Sequence, residues 1–212
     1  MVIAIDGPAG AGKSTVARGV AEALGFTYLD SGAMYRAVAL AALRNGVDPD
    51  DGEALGELAR RLEIRLADAR VTLDGEEVTD RIREPAVTEA ASKVSVHPAV
   101  RQAMVRRQRD LIDAGRYVAE GRDIGTVVSP DAPLKVYLTA SAEERARRRA
   151  AESGEDESEV LEAQSERDAR DTEREIGSLR QADDAELIDT TGLDVADVVD
   201  RVVALARRRG IA

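Results

Sequence analysis

Five short apolar runs punctuate the chain. They are Val2-Ile3-Ala4-Ile5, Phe26-Thr27-Tyr28-Leu29, Arg116-Tyr117-Val118-Ala119-Glu120, Leu134-Lys135-Val136-Tyr137-Leu138 and Glu186-Leu187-Ile188-Asp189. Runs of this length, with β-branched and aromatic residues, predict strands, and the first reads as fully buried. Between them the apolar period changes to that of a helix. Val16, Ala17, Val20, Ala21 and Leu24 share a face, with Gly25 as the stop. A second helix is expected from about Ala33 to Arg44, ended by Asn45-Gly46. A third is expected within 47–62, after Asp50-Asp51, with Leu55, Leu58, Ala59 and Leu62 on one side. Pro85 and Pro98 each stand where a helix can begin. Ser141-Ala142-Glu143-Glu144 is a capping box that opens another, and Val195 to Arg208 closes the chain as a helix. Strands alternating with helices predict an α/β fold. One stretch departs from it: Ile64 and Leu66, Val71 and Leu73, then Val78 alternate with polar residues, and Asp74-Gly75 is a hairpin signal. A small antiparallel β insertion is expected there, at about 63–80.

The stretch between the first strand and the first helix carries the strongest chemical signal. Gly7-Pro8-Ala9-Gly10-Ala11-Gly12-Lys13-Ser14 fits G-x-x-x-x-G-K-[ST], the phosphate-binding P-loop. Strand, glycine loop and helix is the order the chemistry needs. Small residues let backbone N–H groups wrap a phosphate, and the helix N-terminus adds positive potential. Lys13 can reach the β- and γ-phosphates, and the Ser14 hydroxyl can hold Mg²⁺. The loop by itself says nucleotide and does not say what is done with it.

Other polar clusters fall at strand ends, where open α/β sheets bind ligands. Asp30-Ser31-Gly32 turns the second strand into a helix, and Ser31 alone reads best as its N-cap. Tyr35 and Arg36 together read as ligands for a small anion. Arg122-Asp123, flanked by Gly121 and Gly125, follows the third strand. It reads as a functional pair, with a turn-stabilising salt bridge as the alternative. Ser92 and Arg101 flank the His97-Pro98 corner, and His97 is assigned no role. Downstream, one helix carries Arg145, Arg147, Arg148 and Arg149, and another carries Arg167, Arg170, Asp171 and Arg174. The acidic, small-residue stretch Glu152 to Glu159 interrupts them. Ion-paired surface helices would give this pattern, but arginines on both sides of a flexible tip downstream of a P-loop favour a lid.

Composition narrows the classes. At 212 residues the chain suits one domain, or one with a sizeable insertion. A net charge of −11 argues against a nucleic-acid or anionic-membrane binder. Only Lys13, Lys93 and Lys135 are lysines, so positive charge is nearly all arginine, the residue for bidentate phosphate clamping. The absence of cysteine excludes disulfides, thiolate zinc sites and a cysteine nucleophile. A strand starting at Val2 leaves no room for a signal peptide, no apolar run is long enough to span a membrane, and a cytoplasmic setting is expected.

Taken together, Ile5 to Thr15, Leu29 to Arg36, Gly121 to Val128 and Glu166 to Asp171 resemble bacterial cytidylate kinases, of the nucleoside-monophosphate kinase group, across nearly the whole length. The resemblance implies a P-loop NTPase-like core with a five-stranded parallel sheet flanked by helices. It implies a core at about 1–31, 115–140 and 185–212, a monophosphate-binding region at about 32–114 and an arginine-bearing lid at about 141–178. It implies ATP as phosphoryl donor, CMP or dCMP as acceptor, and Mg²⁺. On this basis Gly7, Pro8, Ala9, Gly10, Ala11, Gly12, Lys13, Ser14 and Thr15 would hold ATP, with Ser14 on the metal and lid arginines near Arg148 over the phosphates. Ser31, Tyr35, Arg36, Arg122 and Arg174 would hold the monophosphate. Ser92, Arg101 and Asp123 would read the base, and Arg167 and Asp171 the ribose hydroxyls. Lys13, Arg122, Arg148 and Arg174 would be the catalytic charges. A monomer is expected.

The chemistry agrees with this. Phosphoryl transfer needs positioning and charge neutralisation and no nucleophile–base pair. Cytosine offers an amine donor to Asp123, whereas uracil would set an acceptor against it. The second magnesium contact stays open between Asp30 and Glu120. The rivals are a P-loop kinase for UMP, AMP or a metabolite alcohol, disfavoured by Arg122-Asp123 and the β insertion, and a GTPase-like switch, disfavoured by the lack of an Asn-Lys-x-Asp motif.

Overall fold

All five apolar runs join one parallel sheet. In the computed structural model, which describes residues 1–67 and 70–211, its order is β2 (Thr27–Asp30), β6 (Tyr117–Gly121), β1 (Val2–Asp6), β7 (Leu134–Thr139) and β8 (Glu186–Asp189). The central strand β1 runs parallel to β6 on one side and β7 on the other, and all five of its residues are buried. A strand covered on both faces has no polar face to alternate, hence the unbroken apolar run. The register sets Asp6 opposite Gly121 and Tyr137. The glycine loop and the Arg122-Asp123 turn therefore leave the sheet side by side, at its carboxyl edge.

The chain divides into two compact units. The first comprises Met1–Leu29 and the residues from Ile112 onward. Around its sheet, Ile3, Ile5, Val20, Leu138 and Ile188 join one buried cluster with α1 (Lys13–Leu24) and α8 (Val195–Arg208). The two helices approach so closely that a Cβ on Gly19 would meet Val199 at 2.8 Å. The arginine-bearing helices are α6 (Ala142–Ser153) and α7 (Glu157–Glu173). Ser141 caps α6 by accepting the Glu144 N–H at 3.2 Å, as the capping box predicts. The break between them is shorter than expected. Glu152 and Ser153 stay helical, left-handed Gly154 ends α6, and Asp156 caps α7. Glutamate and serine tolerate a helix end, so only the glycine and the capping aspartate interrupt it. Arg174 lies just past the end of α7. Between β6 and β7, Ile124–Val128 forms a π-helical turn that the sequence does not announce.

The second unit is Asp30–Leu111. It begins with α2 (Ser31–Asn45), buried continuously from Ala37 to Ala42. Asp30, not Ser31, caps this helix: its carboxylate accepts the Ala33 N–H at 2.8 Å. A carboxylate one residue earlier reaches the same amide and adds negative charge at the helix start, and Ser31 becomes the first helical residue. α3 (Gly52–Arg61) packs so closely on α5 (Pro98–Asp113) that a Cβ on Gly56 would lie 2.4 Å from that of Ala99. The β insertion is an antiparallel sheet of β3 (Ile64–Ala67), β4 (Arg70–Leu73) and β5 (Glu76–Glu77). Its turn is Asp74-Gly75, with φ of 50° and 86°, the geometry of a tight hairpin. Residues 68 and 69, inside the expected insertion, lie outside the described residues. Pro85 begins α4 (Pro85–Val94), as expected. Among the described residues, no helix is long and apolar enough to cross a membrane.

Candidate active site

The glycine loop leaves β1 pressed against β7. A Cβ on Gly7, whose φ is 149°, would lie 2.0 Å from the Leu138 carbonyl oxygen, so the loop can exit there only without a side chain. The loop ends at left-handed Gly12, the N-cap of α1. Lys13, the first residue of that helix, folds back to donate to the Pro8 carbonyl at 2.7 Å. Burial pushes its pKa down to about 7; Arg122 and Arg167 add to the shift, and Glu120 and Asp6 oppose it. A lysine so destabilised as a cation is strongly favoured by an arriving phosphate.

Beside the loop stands an arginine–aspartate–arginine cluster. Arg122 donates from Nε to Asp171 at 2.7 Å and from Nη1 to the Gly7 carbonyl at 2.5 Å. Arg174 binds the other Asp171 oxygen. Asp171 is buried, which works to raise its pKa, but Arg122, Arg174 and Arg167 outweigh burial and hold it below the usual carboxylate value. Two guanidiniums are thus oriented by one carboxylate.

The turn that follows Arg122 is fixed from β1. Asp6 accepts the Ile124 N–H at 2.8 Å and the Gly125 N–H at 2.7 Å. Asp123, between this pair and Arg122, is itself buried. Glu120, also buried, accepts from the Tyr28 hydroxyl, and the Arg18 guanidinium lies 4.7 Å from the Tyr28 ring centroid.

The arginine-bearing helices touch the loop through specific groups. Arg145 donates to the Ala9 carbonyl at 2.9 Å and to Asp168 at 2.6 Å, and Asp168 accepts the Ala9 N–H at 3.3 Å. Arg148 donates to Glu144 at 2.8 Å and reaches the hydroxyl and carbonyl of Thr190 at 3.0 and 2.6 Å. Its guanidinium lies 3.8 Å from where a Gly12 Cβ would be.

In the second unit, Arg101 is 1% exposed, donates to the Ser95 carbonyl at 3.3 Å and stands 5.4 Å from the centre of the Tyr35 ring. The buried Ser92 hydroxyl has no hydrogen-bond partner among the described residues, and buried hydroxyls rarely stay so unless a ligand or water completes them. Arg36 pairs with Asp30 at 2.9 Å. His97 makes a 2.7 Å hydrogen-bond contact with the Pro49 carbonyl.

Residues 3–208 match the sequence model of a family described as cytidylate kinase. The chain is 49% identical to a cytidylate kinase of Pseudomonas aeruginosa over 99% of its length and 96% of that protein's. It is 52% identical to one from Pelotomaculum thermopropionicum, covering 95% of this chain and 94% of that one. The chain belongs to the cytidylate kinase family. Among solved structures, an uncharacterized protein from Eubacterium ventriosum aligns with a TM-score of 0.57 at 14% identity, covering 98% of each chain. A gluconokinase from Sinorhizobium meliloti gives 0.52 at 17%, covering 99% of this chain and 93% of that one. At such identities the likeness is one of fold alone.

The residues singled out by the cytidylate kinase resemblance divide between the two units. Gly7 to Thr15, Arg122, Asp123, Arg148, Arg167, Asp171 and Arg174 belong to the first; Ser31, Tyr35, Arg36, Ser92 and Arg101 belong to the second. Asp6, Arg145 and Asp168 carry site contacts that sequence reasoning did not identify. For Asp6 a signal existed, since a carboxylate ending an otherwise apolar buried strand needs partners. For Arg145 and Asp168 none did, because neighbouring helix positions carry the same charges.

Proposed function

We propose that the chain transfers the γ-phosphoryl group of ATP to CMP or dCMP, giving ADP and CDP or dCDP. Beyond membership of the cytidylate kinase family, the observation that carries this reading is the Arg122–Asp171–Arg174 cluster held against Gly7 of the P-loop. A nucleotide switch needs one phosphate site. A kinase whose acceptor is itself a phosphate ester needs cations for a second phosphate beside the first.

In this reading Gly7 to Thr15 cradle the ATP phosphates and Lys13 neutralises charge on the group in transfer. Arg122 and Arg174 hold the acceptor phosphate, a role the family resemblance also gives to Ser31, Tyr35 and Arg36. Arg148 adds charge from the lid. Asp123, Arg101 and Ser92 read cytosine, and Arg167 and Asp171 take the ribose. The Ser14 hydroxyl and the Glu120 carboxylate would hold Mg²⁺, which supplies charge neutralisation on the phosphates when bound. Glu120, although it accepts from the Tyr28 hydroxyl, suits this better than Asp30, both of whose oxygens are engaged in capping α2 and pairing with Arg36. Glu120 instead lies close enough to Lys13 to raise its pKa. The enzyme would work on free nucleotides in the cytoplasm, as a monomer.

The test is a panel of CMP, dCMP, UMP and AMP with coupled ADP detection. CMP and dCMP should be turned over far better than the others. Preferred turnover of UMP or AMP, or nucleotide binding with no dependence of ADP release on any acceptor, rejects the reading.

A further inference from the structure

We propose that Asp6 is a positioning residue for base recognition: it holds the turn that aims Asp123, so the strand feeding the ATP loop also sets acceptor choice. The inference rests on the CMP kinase reading above. The two amides that Asp6 binds are those immediately after Asp123, one to each carboxylate oxygen, at 2.8 and 2.7 Å. Asp6 is 4% exposed and directly precedes Gly7. The turn it grips is π-helical, closed by Val128 N–H to the Asp123 carbonyl at 3.1 Å and Ser129 N–H to that of Ile124 at 2.7 Å. The first amides of any helical turn have no partner inside it. A buried carboxylate satisfies two of them at once, as a capping residue does, and single π turns gather at functional sites.

Packing allows the turn little alternative. A Cβ on Gly125 would lie 3.2 Å from the Lys135 stem and 3.3 Å from Asp6 Oδ2, so the turn is wedged between them. The residue before Asp123 is tied to the same place, since Arg122 donates to the Gly7 carbonyl. Residues 6 and 7 thus hold 122–125 at three points. With both oxygens engaged by amides, Asp6 suits neither proton transfer nor metal binding. The charged and titratable groups facing it are Asp123, Lys13 and Tyr137, while the Lys135 ammonium turns away to Asp184 at 2.8 Å. Its task is therefore to fix the backbone.

Asp6→Asn is the test. Its amide offers one acceptor oxygen, and its NH₂ meets the second backbone N–H donor to donor. The readouts are kcat/KM for CMP and for UMP, KM for ATP, and thermal unfolding. The CMP-over-UMP preference should narrow by about tenfold or more, with KM for ATP changed by less than about threefold. A variant that keeps the wild-type preference, or loses both activities by the same factor, overturns the proposal whatever its Tm. Should Asp6→Asn not fold, Gly125→Ala presses on the same turn with the carboxylate intact. It should narrow the preference in the same way, and an unchanged preference there overturns the proposal equally. Wild-type enzyme is measured first: no preference for CMP over UMP in it rejects the functional reading, whereas a preference that survives in the variants rejects only the role of Asp6.

Discussion

Replacing Asp171 with asparagine separates two roles for that residue. The resemblance to cytidylate kinases assigns it to the ribose hydroxyls, whereas the structure gives its two oxygens to Arg122 and Arg174. Asparagine keeps one acceptor oxygen, so one guanidinium keeps its partner and the other faces an NH₂ group. A hydrogen bond to a charged group contributes about 1.5–3 kcal/mol. At about 1.4 kcal/mol per tenfold, losing one such bond predicts a fall in kcat/KM of about 10- to 150-fold. In the proposed reading Arg122 and Arg174 hold the acceptor phosphate, so CMP and dCMP should suffer alike. Initial rates for both acceptors, with saturating ATP and coupled ADP detection, give the comparison. A loss confined to CMP, with dCMP untouched, would mean that Asp171 reads the 2′-hydroxyl and that its hold on the arginines is incidental. Unchanged rates for both would refute the reasoning altogether.

Three further outcomes are expected. Lys13→Ala should lower kcat by about a hundredfold or more while the protein stays folded, as the loss of a preorganised charge requires, and near-normal turnover in a single-turnover assay would remove Lys13 from the mechanism. Asp168→Ala releases Arg145 and the Ala9 N–H, so it should raise KM for ATP by about tenfold and leave that for CMP within about twofold, an equal rise in both counting against a loop-specific role. Burial raises the Asp6 pKa from 3.8 to about 7 and lowers that of Lys13 from 10.5 to about 7. The Asp6 contribution to stability is full below the unfolded pKa of 3.8 and lost as pH rises to about 7, and that of Lys13 is full above 10.5 and lost as pH falls to about 7. These two contributions are together smallest near neutrality, and Lys13→Met should flatten the alkaline side of a Tm-against-pH curve of the nucleotide-free protein; parallel curves for the two proteins would refute this.

How much of this was legible from the sequence follows from the range of each interaction. Strands and helices are announced by local periodicity, and β1, α1 and the hairpin at Asp74-Gly75 lie where the pattern puts them. The β insertion was legible because alternation and a turn signal coincide within a few residues. The cap of α2 was misplaced by one residue because aspartate and serine are nearly equal as N-caps, and only the fold decides which reaches the amide. The π turn was invisible because it depends on a partner distant in the chain: nothing in Ile124 to Val128 shows that Asp6 will supply its two acceptors.

The same limit shaped the reading of the site. The P-loop is a contiguous motif whose glycines, lysine and serine serve one ligand, so seven or eight residues suffice to name it. The arginine cluster is not contiguous. Of Arg145, Arg147, Arg148 and Arg149 on one helix, only Arg145 reaches Ala9, while Arg147 and Arg148 both pair with Glu144. Helical phase alone does not choose among them, because consecutive arginines sweep 100° apart and long side chains cover more than one face. What chooses is the carboxylate each one finds. Asp168 selects Arg145, Asp171 selects Arg122 and Arg174, and Asp6 selects the two amides beyond Asp123. Asp168 and Asp171 give the guanidiniums their direction and Asp6 fixes the backbone beside them, and the sequence cannot reveal those directions until the elements that carry the partners are placed side by side.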